Sequence, residues 1–148
     1  MPTPRFLIVE DSPVVRLAIR QTLKSGGVAD EAIAEAETAS KAIERFEQDH
    51  PDVVFADITL PLGTPVRSAG DGFFGFLAAS PSPLDGGLEA ARYMMARKPQ
   101  LKLIVCSGNP PDDPRVRELV KAGAYHVLTK PLQPSELRKL LARLRDET

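Results

Sequence analysis

Polar side chains suited to phosphoryl chemistry stand at the ends of short apolar runs. Glu10 and Asp11 follow Phe6-Leu7-Ile8-Val9, and Asp57 follows Val53-Val54-Phe55-Ala56. Ser107 closes Leu101 to Cys106, and Lys130 comes just after His126-Val127-Leu128. Three carboxylates with room for water and a phosphoryl oxygen suit Mg²⁺, which takes octahedral oxygen ligands. Such an ion offsets the repulsion among the acids and draws in a phosphodonor. A carboxylate can itself be the nucleophile, forming an acyl phosphate. A hydroxyl and an ammonium are then suited to the phosphoryl oxygens the metal does not cover. Taken singly, each residue has an ordinary reading: a solvated loop end for Glu10-Asp11, a turn or cap residue for Asp57, a loop hydroxyl for Ser107 and a solvated charge for Lys130. Their order along the chain is what gives them a common chemistry.

The elements that must position them alternate. Continuous apolar runs bounded by turn residues predict strands covered on both faces. Ser12-Pro13 predicts a capped helix running to about Lys24 and stopping at Gly26-Gly27. Residues 28–49 are ambiguous, because Glu31 to Glu37 is rich in Ala and Glu; a strand to about Ala36 and a helix over Ser40 to Gln48 fit the rhythm. Helices are predicted over Leu88 to Arg97, over Arg115 to Lys121 closing at Gly123, and after a Ser135 cap, with Leu137, Leu140, Leu141 and Leu144 on one face. Strand–helix alternation predicts a doubly wound α/β fold with a parallel five-stranded sheet, and ligands collect at the carboxyl ends of such strands. That rule brings Glu10, Asp11, Asp57, Ser107 and Lys130 to one edge.

Composition narrows the class. With 148 residues, 43% hydrophobic and 26% charged, the chain fits one ordinary domain. Its net charge of −1 argues against a dedicated nucleic-acid binder. No apolar stretch is long enough to span a bilayer, and nothing at the start resembles a secretory signal, so a cytoplasmic location is expected. The single Cys106 reads as a small buried hydrophobe. His50, His126 and the basic face of the last helix read as surface groups.

The whole pattern resembles the receiver domain of bacterial response regulators over almost the full length. The matching residues are Glu10-Asp11, Asp57 with Ile58-Thr59-Leu60-Pro61, Asp85-Gly86, Ser107-Gly108, Gly123-Ala124 and Lys130-Pro131. The resemblance implies a flavodoxin-like strand order 2-1-3-4-5 and phosphorylation of Asp57 by a histidine kinase or histidine phosphotransferase. It implies Mg²⁺ held by Glu10, Asp11, Asp57 and the backbone carbonyl of Thr59, with Ser107 and Lys130 binding the phosphoryl group. A cis bond before Pro131, a downstream protein target and a phosphorylation-dependent homodimer are further implications; direct contact with nucleic acid or membrane is not expected. Thr59, Gly108 and Asn109 fall at positions that modulate such a site.

Two departures stand out. Leu62 to Leu84 intervene between Pro61 and Asp85, with four Gly, three Pro and half of the six Phe, and read as an inserted loop within one domain spanning 1–148. Phe73, Phe74, Phe76 and Leu77 are expected to tuck back or to meet a partner, and the insert to set partner choice. The family's switch position, usually aromatic, holds Val127, and Tyr125 two residues earlier is expected to point elsewhere. A pseudo-receiver that binds without phosphorylation is the alternative. An aspartyl-nucleophile phosphohydrolase is less favoured, because Thr59 stands where such enzymes place a second acid.

Overall fold

The computed structural model describes residues 4–60, 86–110 and 112–147. Five strands alternate with helices: β1 Phe6–Val9, α1 Pro13–Ser25, β2 Ile33–Ala36, α2 Ala39–Asp49, β3 Val53–Asp57, α3 Gly86–Arg97, β4 Lys102–Ser107, α4 Pro114–Ala122, β5 His126–Thr129 and α5 Pro134–Glu147. The strands form one parallel sheet in the order β2-β1-β3-β4-β5, as expected. The inserted loop assigned to Leu62–Leu84, and the Asp85 of the Asp-Gly pair, lie outside the described residues.

Why the apolar runs are continuous is clear from the packing. Alternate strand residues serve opposite layers. Leu7, Val9, Val54, Ala56, Leu103 and Val105 pack with α2, α3 and α4. Phe6, Ile8, Val53, Phe55, Ile104 and Cys106 pack with α1 and α5. Each helix brings a matching stripe, such as Ala39, Ala42, Ile43 and Phe46 on α2, or Leu137, Leu140, Leu141 and Leu144 on α5. Among the described residues no helix is long and apolar enough to cross a membrane.

Caps set where the helices start. Ser12 Oγ accepts the Val15 N–H and Pro13 opens α1, as expected. Thr38 does the same for α2. Ser135 is a correction: α5 begins one residue earlier, at Pro134, so Ser135 lies inside the first turn and is not its cap. Proline's fixed φ suits the first helical position, and the chain enters the helix there. At the far end of α4, Gly123 has a φ of 111°, the left-handed region that glycine enters without a Cβ penalty. His50 ends α2 in the same region with a φ of 48° and is exposed, as its surface reading required.

Candidate functional site

Parallel pairing places the predicted side chains at one edge of the sheet. Asp57 is the last residue of β3 and Ser107 the last of β4, while Glu10 and Lys130 follow β1 and β5 directly. Glu10, Asp57 and Ser107 are all buried, and Asp11 is exposed beside them. One carboxylate oxygen from each of Glu10, Asp11 and Asp57 lies within 4.8 Å of the others.

The Asp57 carboxylate is held at both oxygens. Oδ1 accepts the Thr59 backbone N–H and the Thr59 hydroxyl, each at 2.9 Å. Oδ2 accepts from Lys130 Nζ at 3.2 Å. Lys130 Nζ also pairs with Glu10 Oε2 at 2.8 Å, so one ammonium lies between the two buried acids. Glu10 Oε1 accepts the Ser12 N–H at 3.2 Å, and the Glu10 carbonyl accepts from Arg16 Nη1 at 2.7 Å.

Charge follows from this crowding. Burial, helped by the Asp57 charge and opposed by Lys130, pushes the Glu10 carboxyl up to about 7. Burial alone would lower the Lys130 ammonium, but the Glu10 contact and the charges of Asp57 and Glu10 outweigh it and hold it above its ordinary value. Cys106, wholly buried next to the site, is pushed up to about 12 by burial and then by the Glu10 charge, which keeps the thiol neutral and unreactive.

The remaining predicted residues fall nearby. Ser107 Oγ accepts the Asn109 N–H at 3.0 Å, and the Ser107 carbonyl accepts the Lys130 N–H at 2.8 Å, tying the ends of β4 and β5 together. The Lys130–Pro131 bond is cis. A side chain at Gly108 would meet open space. Val127 packs on the α2–α3–α4 side of the sheet, whereas Tyr125, just before β5, packs on the α1–α5 side. The two therefore do point differently, as expected.

Three features were not anticipated. Thr59 was expected to contribute its carbonyl, yet it also spends its N–H and hydroxyl on Asp57; its place two residues after the acid was the available signal. Gly87 is a second: a Cβ there would lie 1.9 Å from the Asp57 carbonyl oxygen, so α3 starts in backbone contact with the end of β3. Asp113 is the third, capping α4 ahead of Pro114. The Asp113-Pro114 pair repeats the Ser12-Pro13 pattern and could have been read the same way.

The chain's relatives agree with this geometry. Residues 6–65 match the family described as the response regulator receiver domain. The chain is 29% identical over 140 residues to the chemotaxis protein CheY of Thermotoga maritima, covering 95% of this chain and 96% of that protein. The chain is thus similar to CheY-like receiver domains of the response-regulator superfamily. Solved receiver domains share the fold: that of AraT from Geobacillus stearothermophilus superposes with a TM-score of 0.74 at 22% identity, covering 99% of this chain and 95% of the other. The receiver domain of NtrX from Brucella abortus gives 0.71 at 22% identity, covering 97% and 99%. In this chain the acidic cluster is a candidate seat for a divalent cation. The donors are all carboxylate oxygens within 4.8 Å of one another, two of them on buried residues, which suits a hard ion.

Proposed function

We propose that this receiver accepts a phosphoryl group on Asp57 from a His-phosphorylated kinase or phosphotransferase, with Mg²⁺, and thereby switches its protein contacts. The observation that carries the reading is the Asp57 carboxylate itself: buried, backed by Thr59, paired with Lys130 and grouped with two further acids. Glu10, Asp11, Asp57 and the Thr59 carbonyl would hold the ion. When bound, it offsets the negative charge gathering between the acids and the phosphodonor.

The chain's own residues account for the rest. An Asp57 carboxylate oxygen attacks phosphorus, the P–O bond of the acyl phosphate forms, and the P–N bond to the donor imidazole breaks with its electron pair left on nitrogen. Lys130 exchanges its contact with Asp57 for one with a phosphoryl oxygen, keeping a cation against the charge. Ser107 Oγ already accepts the Asn109 N–H, so its own proton is available to donate to a second phosphoryl oxygen. Hydrolysis by water restores the carboxylate and releases phosphate. Thr59 has no carboxyl to act as a general acid–base, so the domain turns over only its own aspartyl phosphate.

The test is intact mass after incubation with acetyl phosphate, with and without Mg²⁺, for the natural chain and Asp57→Asn. One added phosphoryl group that needs both Mg²⁺ and Asp57 is the expected result. No addition to a folded, Mg²⁺-binding protein would sink the reading in favour of a phosphorylation-independent binding module.

A further inference from the structure

Ser107 is tied to α4 by hydrogen bonds that run through two polar side chains. The Asn109 backbone N–H reaches Ser107 Oγ at 3.0 Å, while Asn109 Nδ2 donates to Asp113 Oδ2 at 3.0 Å. Asp113 divides its carboxylate: Oδ2 takes Asn109, and Oδ1 caps α4 by accepting the Arg115 N–H at 2.8 Å. The Arg115 side chain also contacts both Asp113 oxygens, and this pairing holds the carboxyl below its usual range, so it remains an acceptor near neutrality.

The far side of α4 is attached separately. Glu118 pairs through both oxygens with Arg92 of α3, which also contacts the buried Glu89. The start of α3 rests on the Asp57 carbonyl through Gly87. The contacts close a ring from Asp57 through α3, Arg92, Glu118, α4, Asp113 and Asn109 to Ser107, whose strand pairs with that of Asp57. Moving Ser107 toward a group on Asp57 must therefore shift the α4 N-terminus against an α3 that is fixed to the acceptor.

We infer that Asn109 and Asp113 form a strut that transmits displacement of Ser107 to α4, making Asp113 a positioning residue for the switch. The inference rests on the phosphoacceptor reading and extends it. Val127 offers no ring to swing, and the strut needs none. Asp113 touches no reacting atom; it acts through Asn109.

The experiment separates the strut from the cap. Asn109→Ala removes the carboxamide and leaves the cap. Asp113→Ser keeps a good N-cap residue too short to hold Asn109. Amide hydrogen exchange in α4 is measured for the natural chain and both variants, with Mg²⁺, with and without saturating beryllofluoride, and occupancy is checked by fluorine NMR. In the natural chain beryllofluoride is expected to change α4 exchange about fivefold or more, the low end of ordinary coupling between sites. In both variants the change should fall below about twofold at full occupancy. A full response in either variant, or none in the natural chain despite occupancy, overturns the strut. Failure of beryllofluoride to bind the natural chain would instead remove the phosphoacceptor reading on which it stands.

Discussion

Burial is the main cause of the raised Glu10 carboxyl; Lys130, which pairs with both Glu10 and Asp57, opposes it, and the Asp57 charge adds to it. With its carboxyl raised to about 7, Glu10 must lose a proton before it can ligate a cation. The sign is therefore set: affinity for Mg²⁺ falls as pH drops through 7 and levels off above it. Between pH 8 and pH 6 the apparent dissociation constant should weaken about tenfold, since each pH unit below the carboxyl's value adds a tenfold proton competition. Calorimetric titration across that range checks it. An affinity that stays flat from pH 8 to pH 6 would show that Glu10 is ionised throughout, or that it is no ligand. Beside it, Thr59 shows how an exposed residue bears on a buried acid: its two donors fix the orientation of the Asp57 carboxylate through Oδ1.

At the scale of elements, the tightest constraint is where α3 meets β3. Gly87 stands where any Cβ would overlap the Asp57 carbonyl, and the obstacle is backbone, which cannot rotate away. Gly87→Ala should therefore destabilise the domain by about 2–3 kcal/mol, at the upper end of ordinary overpacking, as measured by urea unfolding. A loss below about 0.5 kcal/mol would mean that α3 shifts freely and is not anchored to Asp57. The contact also shows what sequence can and cannot disclose. β1, β3 and β4, the acids after them and the Ser12-Pro13 start were legible because burial on both faces writes itself as continuous apolar runs, and caps need particular side chains, whereas β2, half-buried at its centre, read ambiguously. Helix starts were less legible: α3, α4 and α5 each begin one or two residues before the expected position, and Ser135 proved to be inside its helix. Apolar periodicity marks where a helix packs, not where its first turn is satisfied. The pairing of Thr59 with Asp57, the seat of Gly87 and the Asn109–Asp113 contact depend on chain paths meeting in space, for which a lone sequence carries only hints. His50, the left-handed end of α2, gave no signal, because that conformation is usually written with glycine or asparagine.

Across the whole molecule, the sheet buries apolar residues on both layers, yet α1 leaves two large ones in water. Val14 is 77% exposed and Leu17 is 53% exposed, one turn apart on the face opposite the buried Ile19 and Leu23. They lie on the helix that begins two positions after Asp11, a member of the acidic cluster. On the proposed function, a small phosphodonor needs nothing from such a patch, whereas a protein donor would rest against the surface around Asp57. Exposed apolar residues clustered beside a reactive site are where that contact gains most. Charging both positions, Val14→Glu with Leu17→Glu, should slow transfer from a His-phosphorylated donor protein by about tenfold or more, the loss of one ordinary anchor residue. Labelling by acetyl phosphate should stay within about twofold, because both side chains are exposed and neither belongs to the acidic cluster. The two rates, read by phosphate-affinity gel electrophoresis on the same preparations, separate docking from chemistry. Equal loss of both would mean that the substitutions disturb the site itself, and no loss of either would mean that the donor approaches by another face.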